Sequence, residues 1–263
     1  MTVDLVTLSV DAPVAWLTLN RPDKRNAIDL GVLDALDAAL DAVEADASAR
    51  VAVLLASGPS FSAGGDIKAW AALDPAQFGY AWIRRGHRTF DRLAQLRVPT
   101  IAVVDGDAFG GGLELAACCD FRIAEEQARF GLPEAGLGMV PGWSGTQRLA
   151  RRFGPQIVRR LAIGGEVLNA RSAMGAGVVD AVVETGAGRG AAEAYARGIA
   201  ARGPSATQAA KAMLAVAEGE AAEANLDLLS GMMIAATDEL GEGVAAFLEK
   251  RKPDFDAGGG DDD

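Results

Sequence analysis

The 263-residue sequence has little sulfur chemistry and almost no imidazole, with two cysteines and one histidine. Cys118 and Cys119 are adjacent in an apolar stretch. They build neither a disulfide framework nor a CxxC metal site, so a reducing compartment is expected, the cytoplasm. The single His87 excludes a metal site that needs several histidines, and no metal is expected. Positive charge is also short: 25 Lys and Arg stand against 36 Asp and Glu, a net −11. Non-specific nucleic-acid binding needs clustered cations, so no nucleic acid is expected as a partner. A small anionic ligand needs only a local pocket of donors and is not excluded. No apolar run approaches the roughly 18 residues of a membrane span. The opening Met1-Thr2-Val3-Asp4 has no basic or apolar leader pattern, so neither a signal peptide nor a membrane partner is expected.

What is present is ordinary globular material, 50% hydrophobic and 23% charged. Against about 150 residues per domain, the length predicts one large domain or one domain with a smaller appendage. Leu5–Val10 and Val14–Leu19 read as a strand pair around Asp11-Ala12-Pro13. Asp29 is placed as the N-cap of a long helix with Leu33, Leu36, Leu40 and Val43 at helical spacing. Val51–Ala56 and Thr100–Val104 read as buried strands, Phe121–Ala124 as a short one and Val178–Glu184 as the last. Helical stretches fall between them, over residues 76–97 among others. Strands alternating with helices predict an α/β layered fold. From about residue 189 the chain reads as helical, broken at Gly203-Pro204 and Glu218-Gly219. We therefore divide it into a core over 1–200, a helical C-terminal subdomain over 201–256 and a disordered tail over 257–263.

Three stretches have the residue types for chemistry. Phe61-Ser62-Ala63-Gly64-Gly65-Asp66-Ile67-Lys68 follows a strand and precedes a helix, and its small residues let backbone N–H groups approach a ligand. The plain alternative is a strand-to-helix turn capped by Asp66. Gly110-Gly111-Gly112-Leu113-Glu114 puts three glycines at a helix start, where each is unfavourable by roughly 1 kcal/mol relative to Ala. Something must require that bare backbone, and unpaired N–H groups in a first turn suit a developing oxyanion. Glu114 sits in the same turn, either as a reactive carboxylate or as a simple partner of the helix dipole. Pro133-Glu134 lies in an almost wholly apolar run ending at Pro141-Gly142. A carboxyl desolvated there gains a raised pKa suited to acid–base work, whereas an exposed first-turn glutamate carries no such meaning. Gly142-Trp143-Ser144-Gly145-Thr146 falls short of GxSxG because Thr146 replaces the last glycine, which weakens a Ser144 hydrolase. His87, among Arg84, Arg85 and Arg88, reads as a helix-face residue rather than a catalytic one.

Together these stretches resemble the crotonase (enoyl-CoA hydratase/isomerase) family, from about residue 5 to 256. Asn20–Ala27 is similar to its early CoA-contacting loop. Ala63–Ile67 and Gly110–Glu114 are similar to its two oxyanion segments, and Pro133-Glu134 with Gly145–Leu149 to its second catalytic segment. Ala246–Pro253 is similar to its C-terminal helix. The resemblance implies a spiral of ββα units with a helical C-terminal part, assembled as a homotrimer or a dimer of trimers. It implies an acyl-CoA thioester as ligand, bound through Lys24, Arg25, Ala27, Ala63, Gly64, Gly65, Asp66, Ile67 and Gly111, with no separate cofactor because CoA is part of the substrate. The N–H groups of Ala63 and Gly111 would form the oxyanion hole. Glu114 would activate water for attack at C3, and Glu134 would exchange the proton at C2. The implied reaction is hydration of an enoyl-CoA in fatty acid metabolism. Its alternatives are an isomerase, another crotonase reaction on a specialised acyl-CoA, and a non-catalytic binding protein on the same fold. Trp143 and Ser144 depart from the small residues common at their places, and Trp143 would either narrow the acyl pocket or reshape it for an unusual acyl group. Trp70, Phe78, Tyr80 and Trp82 are candidates for lining the tail pocket.

Overall fold

A computed structural model describes residues 4–255. The disordered tail expected over 257–263 lies outside these residues. The chain divides between Gln208 and Ala209 into two compact units.

Nine strands are present among the described residues: β1 (Val6–Asp11), β2 (Val14–Leu19), β3 (Val51–Ala56), β4 (Thr100–Val104), β5 (Ala108–Phe109), β6 (Phe121–Glu125), β7 (Arg129–Gly131), β8 (Leu168–Asn169) and β9 (Ala181–Val183). Six form one sheet in the order β1-β2-β3-β4-β6-β9. β1 and β2 pair antiparallel, and every other neighbour in this sheet is parallel. The unbroken apolar runs of β3 and β4 follow from burial on both faces. Leu17, Leu19, Leu54 and Val104 belong to one core, which also contains Leu33, Leu36 and Leu40 of the Leu30–Ala45 helix. Trp16, Val53, Ile101 and Ile123 belong to another, with Ala192 and Ala196 of the Gly188–Ala200 helix. The expected N-cap forms, since Asp29 Oδ1 accepts from the Val32 N–H at 2.9 Å.

The second sheet is small and positions the functional loops. β7 lies between β5, to which it is parallel, and β8, to which it is antiparallel. Phe109 pairs with Gly131, so the segments leading to Glu114 and Glu134 leave adjacent strands at the same end. Single bridges join Ser62 to Ala108 and Ile28 to Gly65, drawing the 61–66 loop to that end as well. Chain ends of parallel strands converging in this way make a natural ligand crevice.

In the second unit, Ala222–Ala235 and Asp238–Glu249 are helical. Among the described residues no helix is long and apolar enough to cross a membrane.

Candidate active site

Two concavities meet at Gly65. One is a groove of about 560 Å³ lined by Arg21, Asp23, Lys24, Arg25, Ala27, Ala63, Gly65, Asp66, Ile67 and Lys68. The other is a cavity of about 60 Å³ whose lining includes Gly111, Glu114, Glu134 and Trp143 besides Gly65.

The groove is built from two loops zipped together. Asn26 adopts a left-handed φ of 52° and donates from its amide to the carbonyls of Ser57 and Ser60. Ser62 donates its hydroxyl to the Asn26 carbonyl at 2.8 Å. Arg21 is held by Asp29 and Asp66, so its charge is already met. Lys24, Arg25 and Lys68 remain exposed on the rim, and anionic groups are the ligands such a rim attracts. Asp66 also caps the short Ile67–Trp70 helix by accepting from the Lys68 N–H.

The same zipper corrects one sequence-based expectation. The Ala63 N–H donates to the Arg25 carbonyl at 2.9 Å and is not available to a ligand. In the Ile28–Gly65 bridge, Ile28 donates to Gly64 and Asp66 donates to Ile28, which passes over the Gly65 N–H. Gly65 therefore has the free donor that Ala63 lacks. Gly64 makes this turn at a φ of +90°, where an added Cβ would lie 2.8 Å from the Phe109 carbonyl and 3.1 Å from the Gly111 nitrogen. The Gly111 N–H, first in its helix, has no partner among the described residues.

The three glycines now have reasons. Gly110 has a φ of +52°, and a Cβ there would meet Glu134 Oε1 at 2.6 Å. A Cβ on Gly111 would meet Trp143 Cζ3 at 2.8 Å, and one on Gly112 would meet the Ser62 carbonyl at 2.3 Å. Bare backbone is needed for a carboxylate, an indole and a neighbouring loop in turn.

Glu114 is 2% exposed. Its Oε1 accepts two peptide N–H groups, from Trp143 at 2.7 Å and Gly145 at 2.6 Å. Burial dominates nonetheless and, with the charge of Glu134, raises its pKa to about 7 against the opposing N–H bonds and Arg148. Glu134 follows Pro133 in a 3₁₀ turn, half-buried. Its Oε2 is buried with no hydrogen-bond partner among the described residues, and desolvation raises its pKa too. These are two carboxyls, each raised above the usual carboxylate range by burial, on one small cavity.

The remaining wall is aromatic. Phe78, Trp82 and Ile83 come from a π-helical segment, Phe78–Ile83. Trp143 packs 5.2 Å from Trp82 and 5.0 Å from Phe90, ring centre to ring centre. Of the expected tail-pocket residues, Phe78 and Trp82 line the cavity, Trp70 packs edge-on to Phe78, and Tyr80 is 73% exposed away from it. Two features were not anticipated: the N–H pair of Trp143 and Gly145 on Glu114, and a contact between His87 Nδ1 and Ser144 Oγ at 3.2 Å. Among the described residues no group of three or more His, Cys, Asp or Glu side chains is placed to hold a metal.

Fold and site define an α/β protein with two desolvated carboxyls beside two free peptide donors, next to a cation-rimmed groove. A sequence profile of the enoyl-CoA hydratase/isomerase family matches residues 9–258. The chain is 36% identical to a crotonyl-CoA hydratase of Syntrophomonas wolfei, over 97% of this chain and 99% of that protein. It is 39% identical to the 2,3-dehydroadipyl-CoA hydratase of Escherichia coli, over 92% and 94%. It superposes on an enoyl-CoA hydratase from Bacillus anthracis with a TM-score of 0.79 at 33% identity, covering 95% and 98% of the two chains. The chain belongs to the enoyl-CoA hydratase/isomerase family.

Proposed function

We propose that this protein is an enoyl-CoA hydratase, adding water across the 2,3 double bond of an acyl-CoA thioester. The observation that carries the reading is the pair Glu114 and Glu134 on one cavity with the free N–H groups of Gly65 and Gly111. The CoA phosphates lie along the rim cations Lys24, Arg25 and Lys68, and the thioester carbonyl enters at Gly65. Gly65 and Gly111 donate to the thioester oxygen and stabilise the enolate as charge moves onto it. Glu114, as the carboxylate, takes a proton from water while its oxygen bonds to C3. Glu134, as the acid, gives its proton to C2. Atoms and charge balance, and both groups are restored after proton exchange with solvent.

Two carboxyls are the minimum for handling a water and a carbon acid on one face. A double-bond isomerase needs one base that carries a proton between carbons. Replacing each glutamate by glutamine separates the two: a hydratase loses turnover in both variants, whereas an isomerase retains it in one. The narrow aromatic wall favours a short acyl group. The enzyme acts in the cytoplasm as a homotrimer or dimer of trimers, the assembly being supported by the apolar residues exposed on its C-terminal helices.

A further inference from the structure

Glu114 is held by a backbone nest. Two N–H groups two residues apart, Trp143 and Gly145, converge on one carboxylate oxygen. Here that convergence is made by a left-handed residue between them, one of the backbone arrangements that form such a nest. That residue is Ser144, with a φ of 72°. Only glycine takes this region freely, so a serine here is strained and must be held from outside.

The Arg148 N–H donates to the Ser144 carbonyl at 2.8 Å, and the side-chain support comes from one helix, Arg84–Ala94. Gly86 receives the edge of the Trp143 indole so closely that a Cβ would lie 2.1 Å from Nε1. The next residue, His87, meets the Ser144 hydroxyl through Nδ1 at 3.2 Å. Either ring tautomer makes this bond, because a hydroxyl both donates and accepts. The helix thus grips both residues that set the nest, through adjacent positions. His87 is the one histidine in the chain, and its ring meets Ser144 rather than Glu114 or Glu134 in the hydrogen bonds among the described residues.

We propose that His87 is a positioning residue, which through Ser144 holds the Trp143 and Gly145 N–H groups on Glu114 and keeps that carboxylate aimed into the cavity. The proposal rests on the hydratase reading for its kinetic consequence, but not for its structural one. When the nest loosens, Glu114 loses donors that favour its charged form, and its pKa rises further. The charged and titratable groups facing Glu114 from the other elements, Glu134 and Arg148, are untouched by the variants below.

The test is a set of variants read in two ways. In hydration of crotonyl-CoA, His87→Ala and Ser144→Ala each lower kcat roughly 10–100-fold with little change in KM, the scale of a slightly misplaced catalytic group. Glycine needs no support at a left-handed position. In a Ser144→Gly background, His87→Ala therefore lowers kcat less than twofold. The second readout needs no turnover: carboxyl NMR titration of the intact protein shows the Glu114 pKa raised in His87→Ala and Ser144→Ala. His87→Asn, which keeps a polar atom near the place of Nδ1, restores both. Equal losses from His87→Ala in the Ser144 and Ser144→Gly backgrounds overturn the proposal, as does an unmoved Glu114 titration in a folded His87→Ala protein. A wild-type protein that hydrates no enoyl-CoA overturns the hydratase reading instead and leaves the titration to decide the role of His87.

Discussion

Glu114 and Glu134 share a cavity but not an environment. Glu114 is fully buried yet receives two peptide donors, whereas Glu134 is half-buried with one oxygen that receives none. In the proposed hydration Glu114 works as the carboxylate, so kcat/KM is expected to fall as pH drops through about 7. In the proposed hydration Glu134 works protonated, and desolvation raises its pKa, so loss of that proton also lowers the rate as pH rises. A pH profile of kcat/KM checks this, and one without an acid limb near neutrality contradicts it. Glu114→Gln and Glu134→Gln are each expected to lower turnover by about 10²–10⁴-fold while acyl-CoA still binds. Linkage gives Glu114→Gln a second effect. A carboxyl whose folded pKa is raised favours the folded state at low pH and loses that contribution as pH rises through the folded value. Above pH 7 the wild type bears a buried charge that the amide does not, so the variant melts at a higher temperature there and loses this advantage in acid. At this scale the sequence was legible for the two glutamates and not for the oxyanion donor. Which N–H is free depends on Arg25, 38 positions before Ala63, reaching across with its carbonyl, and no local pattern shows that.

Among the elements, the long strands and the Leu30–Ala45 helix were readable from the sequence because hydrophobic period and capping agree there. β5, β7 and β8 were not, since strands of two or three residues are too short to show alternation. They nevertheless bring Glu114 and Glu134 together. The aromatic wall makes its own prediction. Trp143 is 3% exposed and stands against Trp82, Phe90 and the Gly65–Gly111 donor pair. A cavity of about 60 Å³ matches roughly two waters at their liquid share of about 30 Å³, a space that suits only a short acyl chain. Trp143→Ala is expected to shift kcat/KM towards longer or branched enoyl groups, at a loss of about 3–5 kcal/mol in stability. A panel of enoyl-CoAs measures the shift, and an unchanged preference in the folded variant removes Trp143 from selectivity. Gly110→Ala is expected to abolish hydration in a folded protein, because its Cβ would displace Glu134. Normal turnover would show that Glu134 need not occupy its present position.

For the whole molecule, the C-terminal helices bear on assembly. Leu226, Met233, Phe247 and Leu248 are all more than half exposed. Apolar area of this kind marks an interaction surface, and we expect sedimentation to give a trimer or hexamer at micromolar concentration. A single monomeric species rejects that. The net charge of −11 and the rim cations of the groove are compatible, since a small anion responds to the local field and not to the total. The most direct measurement of the central claim is to mix the protein with crotonyl-CoA, follow the absorbance of the conjugated thioester and weigh the product. The account predicts loss of the absorbance and a product heavier by one water, with both changes suppressed in Glu114→Gln and Glu134→Gln. An unchanged absorbance across a panel of enoyl-CoAs, or a product of unaltered mass with its double bond moved, contradicts it.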